Sequence, residues 1–372
     1  MTDKTSIDRG TLCAATALVR SALATQAYLP ALTHIRFSGG WATAYDDISA
    51  IMVRSPLDLG RCLPGDLLIR ALDSFSADSL MFQDGKGGAV VIVSGRSRIT
   101  VPTLPDSAFP FNLPDLAVND GEITIDQTIL RGITRCLLGV GNDVTHAAAM
   151  GVTLDVDDRG CAVLFSTDNA TISRFQTKSR VRLPGDSPII MPTFFCEQLV
   201  ALSKAFPDEK EEITLVILNG ALVVEFGNAA RIFTKTLVDL EPLDFPAILA
   251  RYLKLDTIKK DLAPIPDAFD SSLGRALLVL SGEVDKATNF IIGDGVVRLR
   301  SSSAMGDAED SLKYEGNISP QPEFFADPAL IARAAKVCGL MGFMERVVVL
   351  ADTEGQFVHM IAHCDNPTKQ KK

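Results

Sequence analysis

The strongest constraint in the chain is a pattern that occurs three times. The segments LPGDLLIRALDSF (63–75), MPTFFCEQLVALSKAF (191–206) and DPALIARAAKVCG (327–339) each set a proline ahead of an amphipathic run of about three helical turns. Pro64, Pro192 and Pro328 stand about a third of the chain apart, at the position expected for a first helical residue, where no backbone N–H is needed. Strand-like sequence follows each helix, broken into hairpins at turns such as Asn219-Gly220 and Glu354-Gly355. Each third also opens with a helical run, at 6–25, 124–141 and 270–284, followed by two strand-like stretches. The grammar of every third is helix, strands, helix, strands. It predicts an α+β chain built from a triplicated unit, with boundaries at 1–118, 119–252 and 253–372, the last ending in a polar tail.

Length and composition allow this. At 372 residues the chain has room for two or three cores, and 47% hydrophobic with 22% charged residues is the balance of a globular protein. No apolar run reaches the ~18 residues of a membrane span, so no membrane partner is expected. MTDKTSIDRG lacks the apolar centre of a secretory leader, and seven cysteines without CxxC pairs suit reduced thiols, which points to the cytoplasm. The net charge of −10 speaks against a whole surface that grips nucleic acid.

The charge is unevenly spread. Ile129, Ile133 and Leu137 form an apolar stripe, and Arg131 and Arg135 fall about 200° away on the same helix. The six helical runs hold nine basic residues: Arg9, Arg20, Arg70, Arg131, Arg135, Lys204, Arg275, Arg333 and Lys336. Most of the acids in these runs (Asp8, Asp66, Asp126, Asp270 and Asp327) sit in caps or first turns, where they favour the positive end of the helix dipole. A mildly basic helix surface on an acidic body suits a polyanion held loosely, since affinity grows with the phosphates neutralised.

Certain residues carry a resemblance. Ser94-Gly95-Arg96-Ser97-Arg98-Ile99-Thr100-Val101, with Thr103-Leu104-Pro105-Asp106-Ser107-Ala108-Phe109-Pro110, resembles the end of the first domain of bacterial DNA polymerase sliding clamps, the beta subunit of DNA polymerase III. Phe233-Thr234-Lys235-Thr236-Leu237-Val238-Asp239 with Asp244-Phe245-Pro246 is similar to the end of the second clamp domain, and Arg275–Ser281 to the first helix of the third. The resemblance spans nearly the whole chain and identifies a divergent member of the DNA clamp family. It implies three DNA-clamp domains, each of two βαβββ halves, and a ring-shaped homodimer with helices inside and sheets outside. Such a ring encircles double-stranded DNA without reading its sequence, is placed there by a clamp loader, and tethers a DNA polymerase as a processivity factor. It implies neither catalysis nor a cofactor.

The resemblance also assigns surfaces. The nine basic residues above would face DNA. At the ring seam, Ile99 and Val101 would meet Val279 and Leu280 of a second copy, and Arg96 and Arg98 would face Asp307, Glu309 and Asp310. A pocket for a partner peptide maps onto Ala149, Thr167, Asn169, Thr171, Ile172, Pro246, Ala250, Arg251, Val358, Met360 and Ile361. Here the chain departs from the family: Thr167-Asp168-Asn169-Ala170-Thr171-Ile172 replaces the usual Thr-Asp-Gly-His-Arg-Leu. Met360-Ile361-Ala362-His363-Cys364 replaces the usual Met-Pro-Met-Arg-Leu end. His146, Ala147 and Ala148 stand where some relatives carry DNA-touching aromatics. An alternative reading is a clamp-fold interaction protein that does not load on DNA.

Other chemistry finds little support. Asp84-Gly85-Lys86-Gly87-Gly88 lacks the spacing of a phosphate loop. His359 and His363 lie about 13 Å apart along one strand, too far to share a metal, and no metal site is expected. A nuclease built on Asp46-Asp47 or Asp157-Asp158 is a remote rival, because both pairs read as hairpin-turn carboxylates.

Overall fold

The computed structural model describes residues 6–141, 148–209, 213–236, 242–253, 258–284, 286–316 and 323–365. His146, Ala147, Leu237, Val238, Asp239 and the tail from 366 lie outside the described residues.

The described chain repeats one module, strand–helix–three strands, six times. The first is β1 (Ser6–Asp8), α1 (Arg9–Val19), β2 (His34–Ser38), β3 (Trp41–Tyr45) and β4 (Ser49–Arg54). The second runs β5 (Arg61–Pro64), α2 (Gly65–Ser74), β6 (Ser79–Asp84), β7 (Val90–Ser94) and β8 (Ser97–Val101), with a short β9 (Leu104–Pro105) after it. The third is β10 (Gly121–Thr124), α3 (Gln127–Cys136), β11 (Gly151–Val156), β12 (Cys161–Thr167) and β13 (Thr171–Arg180). The fourth is β14 (Ile189–Pro192), α4 (Thr193–Ala205), β15 (Ile213–Leu218), β16 (Ala221–Phe226) and β17 (Ala230–Lys235), and a short helix α5 (Phe245–Ala250) follows. The fifth comprises β18 (Ala263–Pro264), α6 (Phe269–Val279), β19 (Thr288–Gly293), β20 (Val296–Ser303) and β21 (Gly306–Lys313). The sixth comprises β22 (Glu323–Ala326), α7 (Pro328–Ala335), β23 (Leu340–Phe343), β24 (Val347–Ala351) and β25 (Phe357–Ala362).

Consecutive modules exchange their first strands. β1 pairs with β6 while β5 pairs with β2, and the same swap joins β10 to β15 and β14 to β11, then β18 to β23 and β22 to β19. Six blocks of four strands result. Two pairs of blocks fuse edge to edge through their last strands, β4 to β17 and β13 to β25. The sheets are therefore β1-β6-β7-β8, β10-β15-β16-β17-β4-β3-β2-β5-β9, β14-β11-β12-β13-β25-β24-β23-β18 and β21-β20-β19-β22.

The chain divides into two compact units that do not follow the sequence thirds. One holds residues 1–127 and 197–238, the other 128–196 and 239–372, so the second third is shared between them. This follows from the fused blocks, because β4 and β13 find their partners in the next repeat along. The helices pack one apolar face on the sheets: Leu12, Ala15 and Val19 of α1 are buried, as are Ile129, Ile133 and Cys136 of α3. At Gly132 α3 lies so close to its sheet that an added Cβ would stand 2.7 Å from Leu164 Cδ1.

All six sequence-predicted helices form, and the turn at Asn219-Gly220 is a two-residue hairpin with Gly220 at φ 76°. Two details differ from expectation. Pro64 and Pro192 end strands β5 and β14, with Gly65 and Thr193 opening the helices; Pro328 alone is the first helical residue. A proline suits the end of a strand as well as a helix start, since neither position needs its N–H. The short strands before each helix carry too few residues to show a period.

Candidate functional site

In the second unit a cavity of about 190 Å³ lies against the β13–β25 joint. The β12–β13 turn forms one wall. Asp168 Oδ1 accepts the N–H groups of Ala170 (3.1 Å) and Thr171 (2.5 Å), and Asn169 takes the left-handed conformation at φ 69°. Thr167 Oγ1 donates to the Thr171 carbonyl at 2.7 Å and accepts from the Asn169 N–H. These polar groups are satisfied locally, so what they leave facing the cavity is largely apolar: Ile172, Met360, Val347 and Ala362.

Helix α5 forms the opposite wall. Asp244 caps it by accepting the Ala247 N–H at 3.0 Å, and Phe245 is buried flat on Phe165 with ring centroids 4.9 Å apart. Phe245, Ile248 and Tyr252 recur at helical spacing and face the cavity, with Leu243 just before them. Tyr252 remains 41% exposed at the mouth. A second cavity of about 360 Å³ shares Ala170 and Ala362 with the first and reaches Leu330, His363, Cys364 and the 96% exposed Val284.

The structure therefore gathers some of the sequence-assigned pocket residues and not others. Thr167, Asn169, Ile172 and Met360 line the cavity. Ala149, Thr171, Val358 and Ile361 are buried behind it. Pro246, Ala250 and Arg251 are exposed and do not line it, because α5 turns the Phe245–Ile248–Tyr252 face inward. That i, i+3, i+7 series in Phe245-Pro246-Ala247-Ile248-Leu249-Ala250-Arg251-Tyr252 was the signal available in the sequence.

The first unit holds the same kind of joint, between β4 and β17. Its β3–β4 turn repeats the geometry: Asp46 Oδ1 accepts Ile48 N–H (2.9 Å) and Ser49 N–H (2.6 Å), and Asp47 has φ 86°. Lys235 N–H donates to the Ile48 carbonyl as Ala362 N–H does to that of Ala170. Tyr45 stands in place of Thr167, however, and stacks on Phe111 at 4.8 Å, which in turn meets Phe233 at 5.0 Å. Aromatic rings pack at that turn, whereas at β13–β25 the smaller Thr167 and Ala362 stand where Tyr45 and Lys235 stand.

The basic helix residues fall into two groups. Arg131 forms an ion pair with Glu354 at 3.2 Å, bonds to Gln356 and lies over Phe175. Arg135 donates to the Val337 carbonyl at 2.7 Å. Arg275 takes Asp310 in two hydrogen bonds, Arg9 donates to the Ala77 carbonyl at 3.1 Å, and Arg20 and Arg70 both reach Asp66. Lys204, Arg333 and Lys336 are exposed and form no ion pair among the described residues.

Of the seam residues, Arg98, Ile99 and Val101 lie on the sheet edge β8 and Asp307, Glu309 and Asp310 on the edge β21. Arg96 precedes β8, and Val279 and Leu280 stand at the end of α6. Arg96, Arg98, Asp307 and Glu309 are exposed, Ile99 and Val279 are half-buried, and Val101 is buried. Leu280 is only 2% exposed and packs inside its own chain, while Leu278 is 73% exposed on the same helix. Leu278 is thus the exposed leucine at this end of the helix, and Leu280 the buried one.

In the Asp46-Asp47 and Asp157-Asp158 pairs, Asp46 and Asp157 each accept backbone N–H groups of their own hairpin turn. Asp157 Oδ1 accepts the N–H groups of Cys161 (2.8 Å) and Arg159 (2.9 Å), and these bonds hold its carboxyl below the usual range. No group of three metal-ligating side chains occurs among the described residues. No described helix is long and apolar enough to cross a membrane.

No protein-family model matches the sequence, and no curated protein matches it. Solved structures do. The chain is similar to the sliding clamp (DNA polymerase III subunit beta) of Bartonella birtlesii, solved with griselimycin bound, at 16% identity and TM-score 0.82 over 98% of this chain and 99% of that one. The beta sliding clamp of C. crescentus gives 18% identity and TM-score 0.81, again over 98% and 99%. The DNA polymerase III beta subunit of Thermotoga maritima gives 15% and 0.79 over the same shares. The chain has, from end to end, the fold of the bacterial DNA polymerase III beta sliding clamps.

Proposed function

We propose that the chain is a DNA sliding clamp: a homodimeric ring of three clamp domains per copy (1–118, 119–252 and 253–372) that encircles duplex DNA. It works without catalysis of its own, is loaded by a clamp loader, and tethers a polymerase in the cytoplasm. One observation carries the reading. Of the six last strands, four are fused within the chain, and the other two, β8 and β21, end their sheets unpaired among the described residues.

The internal joints supply the register for closing these edges. Ser49 opposes Thr234 and Val53 opposes Ala230; likewise Thr171 opposes Ile361 and Phe175 opposes Phe357. The β20–β21 turn places Gly306 where Ser49 and Thr171 stand, and the β7–β8 turn places Ser97 where Ala230 and Phe357 stand. The same register sets Val101 against Gly306 of a second copy, Ile99 against Ala308, and Arg98 against Glu309. A basic and an acidic residue thus meet without being chosen to. Two four-stranded edge sheets also sum to eight, close to the size of the sheets inside the chain.

The remaining features agree. Enclosure requires no tight phosphate grip, so three unpaired cations on helices, Lys204, Arg333 and Lys336, suit loose contact with a backbone. The groove at β13–β25 suits an extended partner segment held by a few apolar anchors. The test is topological. Light scattering should give a mass near twice 39.9 kDa. Protein loaded on nicked circular DNA should stay bound through a salt wash and be lost when the circle is cut. A monodisperse monomer, or equal retention on linear DNA, overturns the proposal.

A further inference from the structure

A third cavity, of about 370 Å³, lies at the far end of the open edge β21. One wall is segment 264–268, ahead of α6, and the other is Leu312, Lys313 and Glu315. We propose that this cavity seats the Arg96 guanidinium of a second copy, with Asp267 as its carboxylate partner. The inference rests on the ring reading above.

The register leads there. With Arg98 against Glu309, Arg96 falls against Ser311, a residue without charge, and the cavity begins at the next position, about 3.3 Å along the strand. Of the acids nearest this end of the edge, Asp310 is held by Arg275 and Glu309 by Arg300 at 2.9 Å, while Asp307 lies at the opposite end of β21. The single lysine of the cavity, Lys313, lies 2.6 Å from Glu315. Asp267 is exposed and forms no ion pair among the described residues. Pro264, Ile265 and Pro266 give apolar surface on which an arginine stem and flat guanidinium face can lie. Arg96 itself is exposed in the tight turn between Ser94 and Ser97, with Gly95 at φ 58°, just ahead of β8.

The experiment is a charge-swap series on the full chain, read as dimer dissociation constants by analytical ultracentrifugation. Arg96→Glu and Asp267→Arg should each weaken the dimer by about tenfold, and combining them should return it to within about threefold of the parent. Arg98→Glu should be rescued by Glu309→Arg, and neither rescue should work for the other arginine. A dimer indifferent to Arg96→Glu, or an Arg96→Glu variant rescued equally by Glu309→Arg and Asp267→Arg, overturns the seat while leaving the ring intact. A monomeric parent chain overturns both. All four positions are exposed, and circular dichroism checks that each variant is folded.

Discussion

Arg135 donates to the Val337 carbonyl oxygen at 2.7 Å, with its guanidinium over the Phe357 ring at 5.9 Å. The residue ties α3 to the end of the sixth module's helix, which is work inside the protein. Arg135→Ala is therefore expected to destabilise the fold by about 1.5–3 kcal/mol, the range for a hydrogen bond to a charged group, read as a lower urea midpoint. The triple change Lys204→Glu, Arg333→Glu and Lys336→Glu should leave that midpoint unchanged and shorten residence on circular DNA severalfold. Equal effects of the two variants on DNA retention would erase the distinction between tied and exposed cations.

The groove should discriminate between the two faces of α5. Tyr252→Ala and Ile172→Glu are expected to weaken binding of a fluorescein-labelled peptide with adjacent Leu and Phe anchors by about tenfold or more. Ala250→Glu, on the outward face, should bind as the parent does. Fluorescence anisotropy reads the affinities, and dimer mass should be the same in all three.

Close approach of α3 to its sheet makes a stability prediction. Gly132→Ala sets a Cβ 2.7 Å from Leu164 Cδ1 and 2.8 Å from Phe175 Cδ1, in a packed core, and should destabilise by about 1–3 kcal/mol. Gly274→Ala in α6 meets nothing within 4 Å and should be neutral or stabilise by up to about 1 kcal/mol. Thermal melts of the pair give opposite signs if helix packing is as described.

The β13–β25 joint is pH-sensitive from below. His359 is buried with its Nδ1 2.8 Å from Ser173 Oγ, and burial, helped by the Arg333 charge, pushes its imidazole down to about 4. An unfolded histidine titrates near 6.5, so between these values the unfolded chain binds a proton that the native chain refuses. Stability is full above pH 6.5 and is lost as pH falls toward 4, by roughly 2–3 kcal/mol from this residue. Burial also pushes His363 down to about 4, which adds in the same direction. Urea midpoints measured from pH 7 to 4.5 should fall, and His359→Gln should flatten the slope.

Much of this architecture was legible in the sequence because it is periodic. Six amphipathic helices and their hairpins show themselves through local spacing, and repetition made weak signals add. The exchanged first strands were hidden for a physical reason: Ser6–Asp8 and Ala263–Pro264 are too short for any alternation to appear. The direction of a long cation was hidden as well. Spacing places the Arg131 Cα on the face opposite the apolar stripe, yet the side chain is long enough to bend back to Glu354 and Gln356. For the groove, homology of position selected Pro246 and Ala250, while the helical period of Phe245, Ile248 and Tyr252 marks the face that lines it.

The fused strands also set a timetable. β4 is complete at residue 54, but its partner β17 is not made until residue 235, a delay of about 10–40 s at 5–20 residues per second of synthesis. β13 waits in the same way for β25, which ends ten residues before the chain does. During growth the nascent protein thus carries an open sheet edge almost continuously, a template for wrong pairing. Completion of β17 and then of β25 settles two of these edges, while β8 and β21 stay open within the chain. In the proposed ring these last two edges would close only against a second copy, so the final stage of folding would be bimolecular and its speed would depend on how many copies are present.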